Sequence, residues 1–266
     1  LGQPLTHGQA TEVSLSLVLL TGAGLMLRSM QHSLAEGDRL HADGVVTGQV
    51  LLPIASYSDE NAIRGFLREF AHRLEAQPGV HEVGAFSLLP LSRNSNTGLL
   101  LTPQTADPKN GVEANMGTLL PGSLKMMGLH LREGREFTPQ DDEHAARVMV
   151  INAALARKLA PTGSAIGMRL KFRNDADSTG WKTVIGVAEN VTMNIQDADA
   201  TPYTAWTAEY QESWQFVRML VRADGDGQAG AAALRATMRS LDPNLPVMNV
   251  RSLKAEFVYS MWLKRL

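Results

Sequence analysis

Hydrophobic residues follow two different periods along this chain, and the two periods alternate. Val45 to Leu52 is mostly apolar, which is typical of a strand. Beyond Ser58, a plausible N-cap, apolar residues recur at helical spacing, in the series Ile63, Phe66, Leu67, Phe70 and Leu74. Pro78-Gly79 ends this helix, and Val80 to Leu88 is the next strand. This part of the chain therefore predicts a β-α-β unit.

The same order of elements returns near the end of the chain. Trp214 to Arg222 predicts a strand, Ala231 to Leu241 a helix, and Val247 to Val250 a second strand. In each unit a helical leucine precedes two strand valines by six and nine residues, at Leu74, Val80 and Val83 and again at Leu241, Val247 and Val250. We interpret this shared register as an internal repeat of two β-α-β units.

Residues 92 to 211 lie between the two units and predict a second, mixed segment. Its predicted elements are a short helix at Pro121–Met127, a strand at Arg147–Ile151, a helix at Ala153–Leu159, and a hairpin of strands Met168–Phe172 and Trp181–Val187. The predicted fold class is therefore α+β, in which an inserted α/β subdomain interrupts the subdomain built by the repeat.

The segment Val13–Leu27 differs from the rest of the chain, because its fifteen residues carry no charge. A membrane-spanning helix needs about 20 apolar residues, so this run is short. A secretory signal peptide would begin with positive charge, and residues 1–12 contain no Lys or Arg. From the residues alone, three interpretations stay open: a truncated or short membrane helix, a buried helix, and the remnant of a signal peptide.

Composition and short motifs exclude several functions. The net charge is −2 with acids and bases interspersed, which argues against a nucleic-acid binder. The chain has no cysteine, which excludes thiol catalysis and disulfides. Gly225-Asp-Gly227-Gln-Ala-Gly230 fits a dinucleotide motif, but the chain ends one strand later, and we interpret it as a loop. Asp175 to Gly180 is read as a hairpin turn rather than a calcium loop, and His144 as part of a solvated acidic loop.

No set of residues supplies a nucleophile, a base and a group to orient them. The sequence therefore predicts no enzyme, no catalytic residue, no cofactor and no metal site. An aromatic cluster at Trp206, Tyr210 and Trp214 is the remaining candidate. Aromatic residues are enriched in interface cores but serve equally well as core anchors. We interpret the three as core or subdomain-junction packing, with a partner surface as the alternative.

Several strings, in order, resemble the extracytoplasmic core domain of MacB-like, FtsX-related ABC transporter permeases of the acidobacterial orphan type. The strings that carry the resemblance are LSLVLLTGAGLMLRS from Leu15, LLPIASY from Leu51, QPGV from Gln77, SLLPLS from Ser87, MGLHLREGREF from Met127, VINAALAR from Val150, IGMRL from Ile166, VIGV from Val184 and LDPNLPV from Leu241.

The resemblance implies a division of the chain. Residues 1–40 would form the first transmembrane helix and a stalk, and residues 41–91 and 212–256 the two halves of a porter-like subdomain. Residues 92–211 would form an inserted sabre-like subdomain, and residues 257–266 would lead into a second transmembrane helix. Thr6 to Thr11 are polar where relatives usually continue apolar, and Lys and Arg follow the first helix rather than precede it. Taken alone, this position of the positive charges would favour a cytoplasmic domain.

The resemblance also implies a location and partners. The globular part would lie on the periplasmic side of the inner membrane, attached through Val13–Leu27 and the segment after Leu266. An ABC ATPase would be a separate chain or segment, with a periplasmic adaptor and a second copy of the chain as further partners. The domain would transmit ATP-driven motion of the membrane helices to a partner or an exported substrate. The alternative is a ligand-binding or sensory module with a pocket near Trp206 and Trp214.

Overall fold

The computed structural model describes residues 16–17, 19–24, 40, 42–92, 96–103, 111–175, 180–194, 201–225 and 227–262. The strands in these residues are β1 (Val45–Leu51), β2 (Val80–Phe86), β3 (Thr97–Leu101), β4 (Val112–Leu119), β5 (Leu131–Gly134), β6 (Val148–Asn152), β7 (Arg169–Phe172), β8 (Lys182–Ala188), β9 (Thr204–Ala208), β10 (Phe216–Ala223) and β11 (Met248–Ser252). The helices are α1 (Glu60–Glu75), α2 (Ser123–Met126), α3 (Ala153–Leu159), α4 (Gln228–Leu241) and α5 (Leu253–Trp262).

The two predicted β-α-β units are present, and they interleave in one antiparallel sheet. The strand order is β11-β1-β10-β2, so each unit's two strands are separated by a strand of the other unit. This split β-α-β arrangement is that of a ferredoxin-like fold. The helix α1 begins one residue later than predicted, because the N-cap is Asp59, whose carboxylate accepts a hydrogen bond from the amide of Ala62 at 2.9 Å.

Both long helices pack on the same face of this sheet. One hydrophobic cluster joins α1 and α4 to the strands, and all six residues of the predicted repeat belong to it or pack against it. In each unit the repeated spacing brings a helical leucine and two valines to the same core, with Val247 lying just before β11.

The inserted residues form a second group of strands between β2 and β10. β2 meets β4 at the pair Phe86 and Leu119. From there β4, β3, β7, β8, β6 and β9 pair in succession, and β9 pairs back with β4, so that these six strands close into a ring. β5 pairs with the last three residues of β8, Gly186 to Ala188. A separate hydrophobic cluster is built from these strands and α3.

The mixed fold of helices and strands is thus confirmed, with four strands that the sequence did not predict: β3, β4, β5 and β9. The apolar N-terminal helix is not confirmed. Residues 16–17 and 19–24 are helical and exposed, but across the described ranges no helix combines the length and apolar character needed to cross a bilayer. The rest of Val13–Leu27, the stalk up to residue 39 and residues 263–266 lie outside the described residues.

Candidate functional site

The two ends of the described domain meet in one hydrophobic core. Leu40 and Ala42, which precede β1, are buried in the same cluster as Leu253 and Phe257 of α5. Helix α5 buries positions 253, 256, 257 and 260, the spacing of one helical face. We call the packing of α5, Leu40 and Ala42 against the sheet the stalk junction. It is the place where the chain enters and leaves the domain.

A buried charge cluster fixes α5 to the sheet. Arg218 of β10 donates from Nη1 to Glu256 Oε1 at 2.6 Å, and Arg251 Nε of β11 lies 3.3 Å from Glu256 Oε2. Glu256 is itself buried. A buried carboxylate needs such partners, because removing one member of a buried pair leaves an uncompensated charge and costs about 3–5 kcal/mol. These contacts, the ionic clamp, set the position of α5 on the sheet.

Polar side chains extend the clamp around a cavity of about 280 Å³. The amide group of Gln49 lies 2.8 Å from that of Asn249 and 2.9 Å from both terminal nitrogens of Arg218. The pairing of β1 with β11 shifts register between Thr47 and Gln49, and Asn249 has a φ of 51°. This bulge re-aims the side chains of β11, as bulges commonly do beside binding sites.

A second polar junction joins α1 to the insertion. Arg68 donates two hydrogen bonds to Glu143, at 3.1 and 2.5 Å, and its guanidinium lies 4.8 Å from the ring centroid of Tyr210. The hydrogen bonds from Arg68 lower the pKa of Glu143 to about 2. Burial raises the pKa of Tyr210 to about 12. The pair Arg68 and Glu143 is therefore ionised at neutral pH, while Tyr210 is neutral.

Glu209 follows β9 and is fully buried. Its Oε1 accepts a hydrogen bond from the amide of Trp214 at 3.1 Å, and its Oε2 is paired with the hydroxyl of Thr118 on β4. Burial raises the pKa of Glu209 to about 8. The carboxyl is therefore predominantly protonated at neutral pH and joins the ring strand β4 to the segment that leads back to β10.

The three predicted aromatic residues do not share one surface. Trp206 is 0% exposed and lies in the same core cluster as Leu40 and Phe257, so it has no surface to offer a partner. Tyr210 packs against the core under the helices α1 and α4, and Trp214 is half-buried. A partner surface at Tyr210 and Trp214 stays a prediction. The cavity lies at the stalk junction, whose charged residues the sequence did not single out.

The motifs rejected from the sequence take ordinary positions in the structure. Gly225 and Gly227 have positive φ and lie in the loop before α4, where the sheet is antiparallel and not the parallel sheet of a dinucleotide site. Asp175 accepts a hydrogen bond from the buried ammonium of Lys182 at 2.7 Å. Within the ranges given above, no group of three or more His, Asp or Glu side chains is arranged to hold a metal ion.

Comparison with known proteins decides the family. Residues 14–237 match the family model described as the MacB-like periplasmic core domain. The chain belongs to this family. The MacB-like domain described here is thus the periplasmic domain of an ABC transporter permease, as the resemblance predicted, and it lies on the extracytoplasmic side of the membrane. A search of curated proteins finds no match.

A solved structure shares this fold, and two others are similar in part. The periplasmic region of MacB from Actinobacillus actinomycetemcomitans superposes with a TM-score of 0.53 at 14% identity, covering 83% of this chain and 94% of that one. A domain of a putative permease from Porphyromonas gingivalis has a TM-score of 0.49 at 16% sequence identity, covering 80% of this chain and 92% of that one. The extracellular domain of the noncanonic ABC-type transporter YknZ from Gram-positive bacteria has a TM-score of 0.49 at 17% sequence identity, covering 77% of this chain and 100% of that one.

Proposed function

We propose that this MacB-like domain transmits ATP-driven motion of the membrane helices to a periplasmic partner or to an exported substrate. The stalk junction is the observation that carries this proposal. Leu40 on the entering segment and Phe257 on the leaving helix are packed in one core. A movement of either segment therefore displaces the same set of close-packed side chains, and such interiors transmit strain because they have low compressibility.

The division of the chain follows from this role. We propose that residues 41–91 and 212–256 form the porter-like subdomain and residues 92–211 the sabre-like subdomain, with residues 257–266 leading to a second transmembrane helix. The closed ring of β3, β4, β6, β7, β8 and β9 supports an inserted unit with its own core. Trp206 supports coupling between the two, because this ring residue packs in the core of the stalk junction.

The proposal also includes an inner-membrane location and partners. An ABC ATPase would supply the nucleotide-driven step, since permeases of this kind work with an ATPase. A periplasmic adaptor or a second copy of the chain would receive the motion. Expression of the tagged full-length permease tests the location: it should fractionate with the inner membrane, and protease added to sphaeroplasts should cleave the domain. Recovery in the soluble cytoplasmic fraction would contradict the proposal.

A labelled transporter tests the transmission itself. The chain has no cysteine, so Lys158→Cys on the exposed side of α3 can carry a single environment-sensitive fluorophore in this chain. In the complete transporter with its ATPase, trapping of ATP should change the fluorescence. Phe257→Ala should weaken this response while ATP hydrolysis continues, because the stalk junction loses its buried ring.

The matched control is Val258→Ala, which truncates the neighbouring, exposed side chain of the same helix and should leave the response intact. A response of unchanged size in a folded Phe257→Ala variant would refute transmission through the stalk junction. If trapping of ATP does not change the fluorescence of the labelled transporter that is otherwise wild type, the proposed function as a whole is refuted.

A further inference from the structure

The cavity at the stalk junction opens beside exposed apolar side chains. Val46, Val50 and Leu52 pack under the long helices, so the alternating positions Gln49 and Leu51 lie on the opposite face, which carries α5. Met248 is the register partner of Gln49 and shares its face. Leu51 is 53% exposed, Met248 36% and Tyr259 50%. We call the cavity together with these three side chains the headgroup pocket.

The charge of the cavity favours an anion. Two guanidinium groups, those of Arg218 and Arg251, face the single carboxylate of Glu256, so the ionised side chains that line the cavity in the described structure sum to one positive charge. The guanidinium of Arg251 lies 4.5 Å from the ring centroid of Tyr259, at the exposed side of the clamp. Guanidinium groups match the geometry of phosphate oxygens and bind them with two parallel hydrogen bonds.

The direction of α5 places this pocket relative to the membrane. Ser252, just before α5, pairs with Val46 near the start of β1, whereas Glu256 reaches Arg218, the register partner of Gln49. The helix α5 therefore runs in the direction of β1, toward Leu51. If the chain continues from α5 into the membrane, as the proposed function holds, the headgroup pocket lies beside the end of α5 that leads there.

We propose that the headgroup pocket binds the phosphate of an anionic phospholipid. Arg251 contacts the phosphate, the amide of Asn249 adds a donor, and Leu51 and Met248 contact the apolar part of the lipid. The combination of a cationic polar cavity with a rim of exposed apolar side chains is suited to a molecule with an anionic head and apolar chains. Free inorganic phosphate shares the head chemistry but has nothing to place against the rim.

Calorimetric titration of the full 266-residue chain with soluble lipids tests the proposal. Dihexanoyl phosphatidylglycerol, kept below its critical micelle concentration, should bind more tightly than dihexanoyl phosphatidylcholine and than inorganic phosphate. Arg251→Gln should weaken binding by about tenfold, because a charge-assisted hydrogen bond is lost. The matched control is Arg235→Gln, which removes the same charge from an exposed position of α4 and should bind as wild type does.

Three results would overturn the proposal: no binding of phosphatidylglycerol, equal binding of inorganic phosphate or phosphatidylcholine, or wild-type affinity in Arg251→Gln. If Arg251→Gln fails to fold, Met248→Ser decides, since it changes only the exposed rim. It should weaken phosphatidylglycerol binding and leave inorganic phosphate unaffected, and unchanged lipid binding would refute the site. The titration contains neither ATPase nor bilayer, so its failure is distinct from a failure of the nucleotide response.

Discussion

The buried carboxyl of Glu209 makes the stability of this MacB-like domain depend on pH. Burial raises the pKa of Glu209 from 4.5 to about 8 in the folded protein. At neutral pH the side chain is therefore protonated in the folded state and ionised in the unfolded chain. Unfolding then releases a proton, so a rising pH favours the unfolded state. We expect the domain to lose stability between these two pKa values as the pH rises.

The size of the loss follows from the two pKa values. Between about pH 4.5 and about pH 8 the free energy of unfolding falls by about 1.4 kcal/mol per pH unit, because the unfolded state binds one proton fewer. Over the whole interval the loss is about 5 kcal/mol, comparable with the net stability of many domains. Below this interval the carboxyl is protonated in both states, and above it ionised in both, so its contribution is constant outside the interval.

The substitution Glu209→Gln removes the titration and keeps the shape of the side chain. The amide oxygen can accept the hydrogen bond from the backbone N–H of Trp214, and the amide nitrogen can donate to the hydroxyl of Thr118. At about pH 5 the variant and the wild type should have the same free energy of unfolding. At about pH 9 the free energy of unfolding of the variant should be higher than that of the wild type by up to about 5 kcal/mol.

Urea unfolding at a series of pH values measures this difference. Other groups titrate in both proteins, so the difference between variant and wild type isolates Glu209. The control Glu113→Gln changes an exposed side chain on the same strand as Thr118 and should leave the pH dependence as it is in wild type. Parallel stability curves for wild type and Glu209→Gln would show that Glu209 is ionised in the folded protein and that the reasoning is wrong.

Three further predictions concern the junctions. Phe257→Ala should lower the free energy of unfolding by about 3–5 kcal/mol in urea titrations, against less than about 0.5 for the exposed Val258→Ala. Arg68→Ala should raise the pKa of Glu143 from about 2 toward 4.5 in a carboxyl NMR titration, and should reduce the wild type's loss of stability as pH falls through that interval. Gly134→Ala should cost more than about 1 kcal/mol by thermal unfolding, because φ is 74° and the new Cβ would overlap a backbone carbonyl of β8.

The strongly periodic part of the fold could be predicted from the sequence. The helices α1 and α4 each bury one face, so their apolar residues recur at helical spacing and their ends carry ordinary stop signals. The interleaving of the two units could not be predicted in the same way. It depends on which strands pair, and the strand pattern sets only the face that is buried.

Two strands of the ring, β4 and β9, escaped prediction for a physical reason. In β9, Trp206 belongs to the core of the stalk junction and the adjacent Ala205 to the core of the ring, so all five residues are buried. A strand covered on both faces shows no alternation of apolar and polar residues. Because β4 contains Asn115 and Gly117 in addition, its composition also resembled a loop.

The charged residues of the stalk junction gave no local signal, because Arg218 and Glu256 meet across 38 positions of sequence. Their contact follows from the register, in which Gln49 lies opposite both Arg218 and Met248. An apolar face on α5 would hold the helix at least as firmly, since desolvating charges offsets much of their attraction. Apolar contacts, however, are non-directional and set the position of a helix only through the fit of the packed side chains. The paired guanidinium groups fix one position of Glu256, and we infer that this fixed geometry lets a displacement of the helix reach the sheet.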